Sequence, residues 1–169
     1  MLSRQDAAPT KEMMDMNLLR VQQAIGTNHL KRICVIDGQG GGIGAALIRC
    51  LKEAYGETVE LIALGTNAIA AAQMLKAGAN RAASGENAIL VTSRCVDVIV
   101  GPISISWANA MLGEITPKMA EAVTSSPALK YFLPLSQEPA LIVGVSNEPL
   151  PHLVQKLVYH QLKEVLSDV

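Results

Sequence analysis

Along this chain, short continuous apolar runs, which suit buried strands, alternate with stretches whose apolar positions recur with a period near 3.6, which suits helices. Residues 33–37 form an apolar run that ends at Gly38, and Ile43, Leu47, Ile48 and Leu51 place one apolar stripe on a helix over about 42–55. Residues 59–64 predict a second strand, and 67–76 a second helix closed by Gly78. A short third strand is expected over 79–83. Residues 86–93 start like a helix at Gly85, although 88–92 also reads as a strand. Residues 96–100 predict a strand that runs into Gly101-Pro102, and a helical stretch follows over 104–112. Thr116-Pro117 then sets a capping hydroxyl before a proline at the first helical position, which starts a helix reaching about Val123. Residues 131–135 and 140–145 predict two strands whose link, 136–139, is too short for a parallel crossover. The spacing therefore predicts an antiparallel edge hairpin, followed by a last helix over about 150–166.

Strands that alternate with helices through short turns predict an α/β fold, a single Rossmann-like, doubly wound and mostly parallel sheet. Ahead of it, residues 1–9 read as a disordered lead. Thr10 caps an expected helix over 11–25, with Met13, Met14, Leu18, Val21 and Ile25 at helical spacing. The chain thus divides into an N-terminal arm and helix over 1–30, packed on the domain or on a second subunit, and a Rossmann-like domain over 31–169.

Composition refines this picture. A chain of 169 residues, half of them hydrophobic, can bury one ordinary core. Its aromatic residues are Trp107, Phe132, Tyr55, Tyr131 and Tyr159 alone, so the core must be aliphatic, as between a parallel sheet and its covering helices. Charged residues make up 17%, against about 25% in an average soluble protein, which points to a surface partly buried in a homo-oligomer. With 14 basic and 15 acidic residues there is no basic excess to hold a nucleic acid. The polar N-terminus is unlike a signal peptide, and no apolar run reaches about 18 residues, so no membrane span and a cytoplasmic location are expected. Cys34, Cys50 and Cys95 stand singly, without metal spacing, and read as buried structural thiols of a reducing compartment. His29, His152 and His160 read as surface residues, and no metal centre is expected.

The chemistry concentrates in Gly38, Gln39, Gly40, Gly41, Gly42, Ile43 and Gly44. Glycines at 38, 42 and 44 fit a G-x-x-x-G-x-G spacing, and positions 40, 42 and 45 fit G-x-G-x-x-A. Such a loop, directly between an apolar strand and an amphipathic helix, lets backbone N–H groups approach an anion at a helix N-terminus. A nucleotide, a dinucleotide or another phosphate-bearing small molecule is the expected ligand; a tight turn with no ligand is the alternative. Asp37 at its start suits a cap of the glycine turn. Gly44-Ala45-Ala46 excludes the G-K-[ST] ending of a P-loop.

Nicotinamide-binding domains usually close the second strand with an acidic residue that holds the ribose hydroxyls. Here that strand runs into Gly65, Thr66 and Asn67, which can bond a sugar or cap the next helix. Residues 38–44 nevertheless resemble the nucleotide loop of short-chain dehydrogenases, and Tyr159 and Lys163 have that superfamily's Y-x-x-x-K spacing, with Ser146 upstream. The resemblance implies a tyrosine acid, a lysine that lowers its pKa and a serine that orients a carbonyl. Against it, six residues follow Lys163 where later strands are expected, and Gly101-Pro102 replaces the N-A-G segment.

A broader resemblance runs through 33–44, A-L-G-T-N-A-I-A at 63–70, M-L-K-A-G-A at 74–79, G-E-N-A-I at 85–89, 98–102 and G-E-I-T-P-K-M-A at 113–120. Over about 32–145 the chain resembles a family of short, functionally uncharacterised bacterial proteins. That resemblance implies a compact Rossmann-like domain and carries no activity. The binding residues expected at the carboxyl ends of the strands are the glycine loop, Gly65, Thr66, Asn67, Gly101 and Pro102. The polar candidates for chemistry are Asp37, Asn67, Glu86 and Glu114, although Thr116 and Glu114 also suit a helix start. Three functions follow: a nucleotide or phosphometabolite binder, a small NAD(P)-linked or other nucleotide-dependent enzyme, and a non-catalytic oligomeric assembly or regulatory subunit.

Overall fold

The computed structural model describes residues 30–145 and 147–166. Residues 1–29 of the expected arm and helix over 1–30, with His29, and Ser146 lie outside the described residues. The order is β1 (Lys31–Asp37), α1 (Gly42–Tyr55), β2 (Val59–Gly65), α2 (Ala68–Lys76), β3 (Arg81–Ser84), α3 (Glu86–Thr92), β4 (Val98–Pro102), a 3-10 turn (Ile103–Ser106), α4 (Pro117–Ser125) and β5 (Leu129–Leu133). The chain closes with α5 (Leu150–Lys156), a π-helical turn (Leu157–Gln161) and α6 (Leu162–Leu166).

The five strands pair in the order β3-β2-β1-β4-β5, and every pairing is parallel. Asp37 is in register with Gly65, and Val35 with Val100, so the carboxyl ends of β1, β2 and β4 share one edge. Alternation along each strand then divides the core. Ile33 and Val35 of β1, Leu61 and Ala63 of β2, and Val98 and Val100 of β4 face Leu47, Ile48 and Leu51 of α1, Met74 of α2, and Leu153, Val158 and Leu162 of the last helix. Cys34, Ile36, Ile62, Leu64 and Ile99 face Ile89 of α3 and Met119 and Val123 of α4. Both faces are covered, which is why these strands read as continuous apolar runs. The expected doubly wound Rossmann-like sheet is present, and 86–92 is helix, not strand.

Two ties anchor the last helix, one to α1 and one to β1. Tyr55 Oη donates to the Val158 carbonyl at 2.7 Å, inside the π-helical turn, where widening the helix frees backbone oxygens. Lys31 Nζ donates to the Val165 carbonyl at 2.8 Å. No helix among the described residues is long and apolar enough to cross a membrane.

The antiparallel edge hairpin is not formed. β5 is Leu129–Leu133, parallel to β4, and residues 140–145 form no strand. Pro134 follows β5 directly and supplies no N–H to a ladder. The next turn is drawn the other way: Ser136 Oγ donates to Glu138, whose other carboxylate oxygen accepts from the Met111 N–H at 2.7 Å. That capture takes the chain off the β5 edge and leaves Leu141 and Val143 each 98% exposed. The expected helix over 104–112 is likewise a single 3-10 turn followed by irregular turns. Of the three cysteines only Cys34 is buried; Cys50 is half-buried and Cys95 exposed.

Candidate functional site

The glycine loop leaves β1 at the point where the chain order reverses, with β2 and β3 on one side and β4 and β5 on the other. Open α/β sheets bind ligands at such a switch point. A cavity of about 350 Å³ opens there, within the range of small-molecule sites. Residues 37–43 form one wall; Ser104 after β4, Met111, and Leu135, Ser136, Gln137 and Glu138 after β5 form the rest.

Asp37 is the internal clamp of the loop. Its carboxylate is 3% exposed and accepts from the Gly38 N–H at 2.8 Å and the Gly44 N–H at 2.7 Å. One side chain thus joins the two ends of the turn, the capping role its position suggested. Burial pushes its pKa above the ordinary aspartate range, against the pull of the Gly44, Gly38 and Ile43 N–H groups, and the nearby Glu114 charge pushes the same way.

The glycines divide into two kinds. A Cβ on Gly38 would lie 2.5 Å from Met111 Sδ, one on Gly44 2.4 Å from Met74 Sδ, and one on Gly41 2.7 Å from the backbone of Ala70. Gly41 also has φ +71°. Packing against α2 and the 107–116 segment requires these three. Gly40 and Gly42 differ. A Cβ on either meets nothing within 4 Å, and neither has a positive φ. Both are exposed, both line the cavity, and their N–H groups donate to no protein acceptor among the described residues.

A second carboxylate holds the loop from outside. Glu114 Oε2 accepts from the Gln39 N–H at 2.8 Å, from Asn67 Nδ2 at 2.9 Å and from the Thr66 hydroxyl. Asn67 Nδ2 also donates to the Gln39 carbonyl at 3.0 Å, while its Oδ1 caps α2 by accepting from the Ala70 N–H at 2.9 Å. Desolvation acts to raise the Glu114 pKa. Hydrogen bonds from Thr66, the Gln39 N–H and Asn67 outweigh it and hold the group below the ordinary glutamate range. Glu114 Oε1 accepts from no protein donor among the described residues.

Glu114 is delivered by an unusual turn. Asn109, Met111 and Leu112 have φ of 66°, 57° and 57°, and Gly113 has 88°. Side chains adopt that region at a cost, and such backbone concentrates at functional sites. The turn is fixed by Asn109 N–H to the Ile115 carbonyl at 2.7 Å and by the Met111–Glu138 bond.

Of the four polar candidates, the structure brings Asp37, Asn67 and Glu114 together and leaves Glu86 apart. Glu86 accepts from Thr116 Oγ1 at 2.5 Å, and Thr116 caps α4 through the Met119 N–H at 3.1 Å, so this pair joins two helix starts. Gly65 and Gly101 serve packing. A Cβ on Gly65 would lie 2.4 Å from the Asn67 carbonyl, and one on Gly101 2.4 Å from that of Ile36. Gly101 and Pro102 are buried at the end of β4 and do not line the cavity. Thr66 meets the loop twice, through Glu114 and through its N–H to the Asp37 carbonyl at 3.0 Å. Ser104, Met111 and the 135–138 turn carry no sequence signal for the site; in the sequence Leu135 reads as a strand end and 136–139 as a hairpin link.

Tyr159 sits on the π-helical turn beside Cys50 and Glu53. Those residues lie in the second half of α1, more than two helical turns from its N-terminus. Neither Tyr159 nor Lys163 lines the cavity, so the dehydrogenase arrangement is not assembled at the loop. His152 and His160 are exposed on the last helix, as expected. No group of three or more metal-ligating side chains occurs among the described residues.

No curated protein and no solved structure matches the chain. One family does: the match covers residues 32–166, from the second residue of β1 to the end of α6, and so includes every residue of the site just described. The chain belongs to the family described as a domain of unknown function, DUF3842.

Proposed function

We propose that this protein binds a nucleotide or a phosphorylated small molecule, with a phosphate seated over Gly40 and Gly42 at the start of α1. The observation that carries the reading is that the fold has no use for those two glycines. Packing, φ and hydrogen bonding account for Gly38, Gly41 and Gly44, whereas Gly40 and Gly42 give up side chains where only solvent stands. What their absence creates is room for a ligand to reach two unspent N–H groups at a helix N-terminus. No lysine or arginine lines the cavity, so the attraction comes from backbone dipoles, and inorganic phosphate alone should bind weakly.

The test is a thermal-shift and native-mass-spectrometry screen of nucleotides and sugar phosphates, repeated with the double variant Gly40→Ala, Gly42→Ala. Wild type should bind and the variant, equally folded, should not. A wild type that binds no phosphate compound ends this reading. Equal binding by both moves the site elsewhere.

A second reading, a homo-oligomeric assembly subunit, draws on one observation. Leu141 and Val143 are 98% exposed within a consecutive apolar run, the kind of surface that a partner covers. Its test is the mass of the native particle.

A further inference from the structure

The acidic residue missing from the end of β2 is replaced in space by one from another part of the chain. In nucleotide-binding Rossmann domains a carboxylate at that strand end accepts from the ribose hydroxyls. Here β2 ends at Gly65, and the next two side chains, Thr66 and Asn67, both donate to Glu114 Oε2. We infer that Glu114, carried in by the turn after β4, is the ribose-recognising carboxylate of this site and that the ligand is a nucleotide with free 2′- and 3′-hydroxyls. The inference rests on the phosphate reading above and narrows it.

Three observations support it. The carboxylate is held rigidly, because one oxygen takes donors from three separate segments: the Gln39 backbone, Thr66 and Asn67. The other oxygen has no protein donor among the described residues, so an acceptor is left over. Lastly, Glu114 does not itself line the cavity but stands directly against residues that do. Oε2 lies 2.9 Å from where a Cβ on Gly38 would stand and bonds to Gln39, and both residues line the cavity on its glycine-loop side. To meet this carboxylate, a ligand whose phosphate sits over Gly40 and Gly42 must extend its sugar beyond the cavity lining, past Gly38 and Gln39. A fixed, ionised acceptor selects hydroxyl donors there and repels a 2′-phosphate.

Equilibrium binding of the four ribonucleoside 5′-diphosphates, each against its 2′,3′-dideoxy counterpart, tests this. Wild type should favour the ribose form by about tenfold or more, the worth of one hydrogen bond to a charged group. Glu114→Gln, which exchanges the charged acceptor for a neutral amide, should lower that preference. The wild-type ratio needs no variant, so poor folding of Glu114→Gln would not blunt the test. Equal binding of ribose and dideoxy forms by wild type overturns this inference and leaves the phosphate reading standing. Binding of sugar phosphates without any nucleotide also overturns it. If no phosphate compound binds at all, both fall.

Discussion

Two alanine substitutions in one turn of α1 should move stability in opposite directions. At Gly44, the new Cβ would stand 2.4 Å from Met74 Sδ and 2.9 Å from Asp37 Cβ, where ordinary contact begins at 3.4 Å. Met74 is fully buried, and Asp37 is held by two backbone N–H groups, so neither can withdraw by the required ångström without loss. Overpacking of this kind costs about 1–3 kcal/mol. Straining the bond from the Gly44 N–H to Asp37 adds to that, and the better helix propensity of alanine returns at most about 1 kcal/mol. Gly44→Ala should therefore destabilise by about 1–2 kcal/mol. At Gly42 nothing stands within 4 Å and φ is not positive, so alanine mainly reduces the freedom of the unfolded chain. Gly42→Ala should stabilise by about 0.4–1 kcal/mol. For a chain of this size each kcal/mol corresponds to about 2–4 °C in Tm. Urea unfolding with thermal scans on the two variants and wild type measures the gap. If Gly42→Ala proves as harmful as Gly44→Ala, the division of the loop into glycines the fold needs and glycines it does not is mistaken.

Asp37→Asn keeps one carbonyl but faces either the Gly38 or the Gly44 N–H with a donor, and should cost about 1–3 kcal/mol in urea unfolding. Stability against pH should separate the two carboxylates. Glu114, held below its unfolded pKa of about 4.3, contributes stability that is present above that pH and lost as pH falls through its folded value, so Glu114→Gln should flatten the acid limb. Asp37 is raised above its unfolded value of about 3.9 and has the opposite sign: its contribution is present below that pH and lost as pH rises through the folded value, a loss that Asp37→Asn should remove. A Glu114→Gln protein with an unchanged acid limb would show that the three donors do not hold the carboxylate as described. Thr116→Ala removes the α4 cap and the partner of Glu86, and should lower stability by about 1 kcal/mol with no change in ligand binding.

The half of the site built from β1 and α1 was legible because two signals coincide there, an apolar strand and a run of glycines before an amphipathic helix. Glu114 was legible only as a polar residue near a helix start. Its place beside β2 depends on left-handed backbone at Asn109, Met111 and Leu112, and of these only asparagine is a type that favours that conformation. The error at 140–145 has a related cause. Leu141, Ile142 and Val143 have the composition of a strand, but register and pairing are tertiary properties, and the Glu138–Met111 bond had already turned the chain toward the cleft. Glu86 shows the converse. Its position at a helix start is local and readable, whereas its partner, Thr116, is thirty residues away and invisible to spacing.

The two carboxylates that grip the glycine loop also determine how it can respond to a ligand. Asp37 closes the turn from within and Glu114 braces it from the side, so its shape is set before anything arrives. A loop prepared in this way loses little conformational entropy on binding, and so retains more of each new hydrogen bond as affinity. It also has little room to adapt. Any discrimination among ligands then falls to the far wall of the cavity, above all the 135–138 turn, which Glu138 ties to the Met111 N–H of the 107–116 segment. Under the proposed function, relatives that keep the glycine loop and vary that turn would hold a phosphate alike and differ in what it is attached to.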